Sequence, residues 1–224
     1  MAAARKTAVL ISGSGSNLQS LIDTRAADPS FPADISLVIS NRGDAYGLTR
    51  AEKANVPSRV ISHRDHADRE SFDAAIDAAL TEAGIEFVCL AGFMRILTDG
   101  FVAKWSSRML NIHPSLLPAF KGNRAQEQVL ASSVALSGAT VHAVTADLDG
   151  GPIVAQGAIR RDAHDTLTAL GERISGVEQR LYPLAVRSFL RDDQAPLPEV
   201  PTGDDALFAI NPLTRYGGPT AAKG

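Results

Sequence analysis

The chain has 224 residues, 45% hydrophobic and 21% charged, with a formal net charge of −3. That length supports one large domain or two small ones with a real core, and the charge gives no reason to expect nucleic acid or an anionic membrane as partner. One cysteine, Cys89, excludes an internal disulfide and a thiolate zinc site.

No apolar run reaches membrane-spanning length, and Met1 to Lys6 lacks the apolar core of a signal peptide. A cytoplasmic enzyme is the expectation. Thr7 to Ser12 reads as a short apolar strand and Gly13-Ser14-Gly15-Ser16 as a tight turn, after which Leu18, Leu21 and Ile22 begin a helical stripe. Ile35 to Ser40 reads as a second strand, Ala45 to Ala54 as a helix, and Arg59 to Ser62 as a third, short strand. Phe72, Ile76, Ala79 and Leu80 define an amphipathic helix that Gly84 ends. Phe87 to Leu90 and Met109 to Ile112 supply the next two strands. Cys89, in the run Phe-Val-Cys-Leu-Ala, reads as a small core hydrophobe. Strands alternating with helices at this spacing imply an α/β domain, its twisted sheet mostly parallel with helices on both faces.

The pattern changes after the central strand. A helix is expected from Arg124 to Ala131. Ala139 to Thr145 and Ile153 to Ile159 are β runs joined by a turn-rich connection, so they form an antiparallel extension of the sheet. Leu167, Leu170, Ile174, Val177 and Leu181 make a long amphipathic helix, which Pro183 should kink or shorten. From Asp192 onward prolines, glycines and polar residues dominate, and only Ala206 to Ile210 can make a short strand. The expected division is a domain over 1–191 and an extended tail over 192–224 that wraps the surface or is partly mobile.

The chemistry centres on Leu110 to Lys121. Asn111 and His113 stand two apart on a strand, so their side chains share a face, and Pro114 stops ladder pairing beyond them. An amide there can donate to a developing oxyanion while an imidazole donates or shuttles a proton. The alternative is a hydrogen-bonded pair held for structural reasons alone. The glycine turn puts N–H groups and a helix start at the end of the first strand, which attracts a phosphate, with Ser16 and Asn17 as extra donors; a plain connecting turn is the alternative. A dinucleotide fits poorly, because Leu18 stands where the third glycine of that fingerprint belongs.

Asp149, before Gly150, reads either as turn chemistry or as a carboxylate that orients and charges His113. Met94, Arg95, Ile96 and Leu97 line a slot for a flat ligand or belong to the core. Glu178 lies at the border of the last helix's apolar stripe, where a solvated face is the ordinary reading. His142 reads as a structural histidine, and His63, His66 and His164 as solvated. No histidine pair has helical ligand spacing near a carboxylate, so no metal site is expected.

Taken in order, Ile-Ser-Gly-x-Gly-Ser-Asn-Leu, Leu-Ala-Gly-Phe-Met-Arg-Ile-Leu, Leu-Asn-Ile-His-Pro-Ser-Leu-Leu-Pro and Asp-Leu-Asp-Gly-Gly-Pro-Ile resemble the phosphoribosylglycinamide formyltransferases over about residues 6 to 190. The resemblance implies a Rossmann-like formyltransferase fold and two small-molecule substrates, 10-formyltetrahydrofolate as formyl donor and glycinamide ribonucleotide as acceptor, with no metal. It implies Asn111, His113 and Asp149 as the catalytic trio and Gly15, Ser16 and Asn17 as the phosphate site, with Glu178 on the glycinamide amine side. It assigns the folate to Met94, Arg95, Ile96, Leu97, Asn111 and Thr145-Ala146-Asp147-Leu148-Asp149, with Arg69 near the glutamate end. The sequence departs from the family pattern at Asn123, Arg124 and Gln126, where many members carry histidines, and at Ser175, where some have glutamine. Within the same chemistry, a methionyl-tRNA formyltransferase would add a basic C-terminal domain and a formyltetrahydrofolate deformylase an N-terminal regulatory one. The tail after Asp192 is not basic and the first strand begins at Thr7, so neither is expected. A non-catalytic nucleotide-binding module would leave the trio without a role. A monomer or homodimer is expected.

Overall fold

The computed structural model describes residues 3–191 and 206–214. Its frame is one eight-stranded sheet in the order β3-β2-β1-β4-β5-β6-β7-β8. In chain order the elements are β1 (Arg5–Ile11), α1 (Ser16–Ala27), β2 (Ala33–Ser40), α2 (Tyr46–Lys53), β3 (Ser58–Val60), α3 (Arg69–Glu82), β4 (Phe87–Leu90) and α4 (Asp99–Lys104). There follow β5 (Met109–His113), α5 (Ala125–Ala131), β6 (Leu136–Ala143), β7 (Ile153–Arg160), α6 (Leu167–Leu190) and β8 (Leu207–Ile210). The first five strands pair in parallel, and β6, β7 and β8 add antiparallel. The α/β reading of the sequence is correct, including the antiparallel extension.

Strand alternation sends neighbouring residues into two cores. Val9, Ile11, Phe87, Cys89, Leu110 and Ile112 pack with Leu18 and Leu21 of α1 and Ile174, Val177 and Leu181 of α6. Ala8, Leu10, Val88, Leu90 and Met109 pack instead with Phe72, Ile76 and Leu80 of α3, Phe101 of α4 and Trp105 just past it. Cys89 is fully buried, and burial pushes its thiol up to about 12, so it is an inert part of the first core.

Only the first core extends under β6 and β7, through Val141, Val154 and Ala155. An antiparallel connection carries no crossover helix, so the other face of this part of the sheet is left to loops. Asn111 has the parity of Met109 and looks out on that loop-covered face.

One helix was not expected, one expectation changes and one is met. α4, which sequence patterning did not separate from its loops, is only six residues long and is capped by the Thr98 side chain on Phe101 N–H. Pro183 does not shorten α6, which continues to Leu190. The carbonyl a proline deprives of a partner is that of Gln179, an exposed residue. The strand expected within the tail forms as β8, with Ala206 and Phe208 buried; the rest of the tail beyond 191 lies outside the described residues, apart from 211–214.

Candidate active site

β5 is where parallel pairing gives way to antiparallel. Asn111 pairs in register with His142 of β6, and His113 with Thr140. The Asn111 Nδ2 lies 3.2 Å from His142 Nε2. His142 Nδ1 lies 3.1 Å from the Ala143 carbonyl. With Nδ1 donating there, Nε2 of the neutral ring accepts from the Asn111 amide, and Nε2 of the charged ring turns its N–H toward Asp149, 3.6 Å away; either way an Asn111 N–H remains for a ligand.

His113 is 5% exposed. Its Nε2 faces the Phe120 carbonyl at 2.9 Å, and its Nδ1 lies 3.5 Å from Asp149 Oδ2. Both neighbours are acceptors, so only an imidazolium satisfies both ring positions. The Phe120 carbonyl is brought there by a chain of bonds from the loop-covered face. Thr140 Oγ1 accepts from Leu117 N–H and donates to the Ser115 carbonyl, while Gln156 donates to the Leu117 carbonyl. Ser115 Oγ in turn donates to the Ala119 carbonyl at 2.7 Å.

Asp149 sits at φ 49, a left-handed conformation that Asp and Asn tolerate better than most residues. Its Oδ2 accepts from Gly122 N–H at 2.9 Å, and its Oδ1 lies 3.6 Å from His142 Nε2. Burial pulls this carboxyl upward. The His142 side chain, the Gly122 amide and the charges of both histidines outweigh that and hold it down at about 2. Asn111, His113 and Asp149, which sequence reasoning grouped, meet in one cluster, and Asp149 ties the two covering loops together.

The structure adds residues that sequence reasoning missed. His142 is not a bystander on its strand; it touches both Asn111 and Asp149. The missing signal was strand register, which no local pattern supplies. His63 and His66, expected to be solvated, are half-buried. With Asp68, Arg69, Phe72 and Arg95 they line a cleft of about 190 Å³. His63 Nδ1 is buried without a partner, and burial, Arg95 and Arg64 lower its pKa.

At the glycine turn, Gly15 is the N-cap of α1 and has φ 70. It offers no capping side chain, so the first N–H groups of α1 stay available to an anion. Asn17 Nδ2 donates to Glu178 Oε2 at 3.1 Å, joining α1 to α6, while Asn17 Oδ1 is buried without a partner. Glu178 is therefore not on a solvated face, and burial raises its pKa against the opposing bond from Asn17.

Of the remaining expected residues, Met94 and Ile96 are 68% and 60% exposed, whereas Leu97 turns into the second core. Arg69 opens α3, and Arg95 is half-buried. Thr145, Ala146, Asp147 and Leu148 form an exposed loop, with Asp147 3.5 Å from Lys121 Nζ. Asn123 and Arg124 lead into α5, which holds Gln126, and Ser175 lies on α6, where its hydroxyl takes a bond from Gln179.

Residues 5–186 match the formyl transferase family. The human trifunctional purine biosynthetic protein adenosine-3 is 50% identical over 182 residues, which is 81% of this chain and 18% of that protein. The chain thus spans 13% to 18% of the length of the trifunctional relatives it matches. The phosphoribosylglycinamide formyltransferase of Haemophilus influenzae is 38% identical, with 83% of this chain and 87% of that protein covered. Among solved structures, glycinamide ribonucleotide transformylase 1 from Symbiobacterium toebii superposes with a TM-score of 0.79 at 44% identity, covering 82% of this chain and 86% of the other.

Proposed function

The chain belongs to the formyl transferase family, and from that premise we propose that it transfers a formyl group from 10-formyltetrahydrofolate to the amine of glycinamide ribonucleotide in purine biosynthesis. The observation that carries the reading is the cluster of Asn111, His113 and Asp149 on the loop-covered face of β5 and β6. The acceptor amine attacks the formyl carbon, a C–N bond forms, and the carbonyl oxygen becomes an oxyanion. Asn111 donates its free N–H to that oxygen, and the His113 imidazolium, held by Asp149, stabilises it by charge. Collapse breaks the bond to the folate nitrogen. The proton this nitrogen takes up comes from His113 Nε2, which rests on the Phe120 carbonyl until that loop shifts, and the attacking nitrogen, cationic after attack, releases the proton that restores the imidazolium.

In this reading the ribonucleotide phosphate lies on Gly15, Ser16 and Asn17, and Glu178 holds the amine side. The raised pKa of Glu178 fits a carboxylate that a cationic or N–H-donating ligand would stabilise. The folate lies along Met94, Arg95, Ile96 and Leu97 and the loop from Thr145 to Asp149, its glutamate toward Arg69. The Arg69 and Arg95 cleft suits carboxylates. The enzyme works in the cytoplasm as a monomer or homodimer on small molecules, without nucleic acid or membrane. Among the described residues no helix is long and apolar enough to cross a membrane.

The test is turnover of the purified protein with formyl-folate and each of three acceptors: glycinamide ribonucleotide, methionyl-tRNA and water. Formylation of the ribonucleotide alone is expected. Formylation of the tRNA or plain hydrolysis would replace this reading with one of its relatives.

A further inference from the structure

By sequence Ser12 ends the first strand at the head of the glycine motif, yet its side chain serves another segment. Its Oγ donates to Asn41 Oδ1 at 2.6 Å and accepts from Met94 N–H at 2.8 Å. Ser12 and Asn41 are both buried. The bond crosses from the end of β1 to the loop after β4, adjacent parallel strands from which the chain leaves in opposite directions. Such a switch point opens the crevice of a doubly wound sheet. At the far end of that loop, Asp73 of α3 accepts from Thr98 N–H through Oδ2 at 2.6 Å, and Asp73 is also buried. Just before the first grip Phe93 stacks on Phe72 with ring centroids 6.4 Å apart and planes 8° from parallel, and between the two grips Leu97 enters the core.

We propose that Ser12 and Asp73 are positioning residues for the folate half of the site, clamping loop 92–98 by its backbone so that Met94 and Ile96 stay presented. Two apolar side chains so exposed gain from retracting into any cover the loop can find. A loop held at Met94 N–H and Thr98 N–H is denied that retreat, and a flat apolar ligand meets a surface already formed, without the cost of ordering it. The inference rests on reading this loop as folate-binding. It assigns Ser12, which sits in the phosphate motif, to the other substrate.

Steady-state kinetics of wild type, Ser12→Ala, Asp73→Ala and Asp73→Asn test it. Ser12→Ala and Asp73→Ala should each raise the KM for formyl-folate about tenfold, as expected for a lost buried hydrogen bond, and hold the ribonucleotide KM within about twofold. Asp73→Asn keeps an oxygen that accepts from Thr98 and should stay near wild type. Equal rises in both KM values, an unchanged folate KM, or variants that only lose stability would overturn the proposal. If Ser12→Ala yields no folded protein, the Asp73 pair decides by the same split. A wild-type protein inert toward both substrates would instead remove the functional reading beneath it.

Discussion

Asp149 does two jobs that sequence alone had set against each other. It sits in a turn that the Asp147 carbonyl closes by accepting from Gly150 N–H, and its carboxylate faces two histidines. Asp149→Asn keeps the shape, since Asn tolerates φ 49, and removes the charge. Turnover should fall about 10²- to 10³-fold, as when a transition-state stabiliser loses its partner, measured beside melts that rule out unfolding. The carboxyl's pKa is lower in the folded state than its unfolded value of roughly 3.9. Its stabilisation is therefore complete above that pH and is lost as pH falls through about 2. The stability gap between wild type and variant should be at most about 2 kcal/mol and should close below that range, as acid titration of denaturant midpoints would reveal. His113→Ala should fold and lose about 10²- to 10⁴-fold in turnover; near wild-type rates would remove it from the chemistry.

At the scale of elements, the glycine turn and α6 carry the acceptor side. Gly15 is more than an approach point for phosphate. A Cβ on it would stand 2.6 Å from the Gly47 Cα of α2, and its φ of 70 is strained for any side chain. Gly15→Ala should therefore cost about 1–3 kcal/mol in denaturant titration as well as ribonucleotide affinity, while the folate KM in the folded fraction stays put. The close contact between α1 and α2 ties this glycine to folding as well as to binding. Glu178 gives the opposite linkage to Asp149. Burial raises its folded pKa, so above the unfolded value of roughly 4.3 its ionisation opposes folding, and the penalty vanishes as pH falls below that value. Glu178→Gln should thus melt no lower than wild type at neutral pH, lose that advantage in acid, and raise the ribonucleotide KM.

At the scale of the molecule, the sheet divides its labour at β5. The parallel half, covered by helices on both faces, holds the crevice, and the antiparallel half leaves one face to loops that carry Asp149 and the Phe120 carbonyl. β8 closes this half from the far edge, with Phe208 buried beneath the Arg180 guanidinium at 5.0 Å. Phe208→Ala should destabilise by about 3–5 kcal/mol and leave kcat unchanged, read from chemical denaturation and initial rates. A drop in kcat at full folding would mean that the edge strand reaches the chemistry.

The sequence by itself determined the strands and most helices, because alternation and the 3.6-residue stripe are local and bury one face each. It also placed Asn111 and His113 on one face, since a strand's period is two. Short α4 escaped it, because six residues hold too little of a stripe to be told from a loop. Only the tertiary structure decided that His142 stands opposite Asn111, that His63 and His66 line a cleft with two arginines, and that Ser12 reaches Met94. Each of these depends on strand order and register across 29 to 82 residues of chain. Such distances are set by packing between elements, which no local pattern of residues encodes.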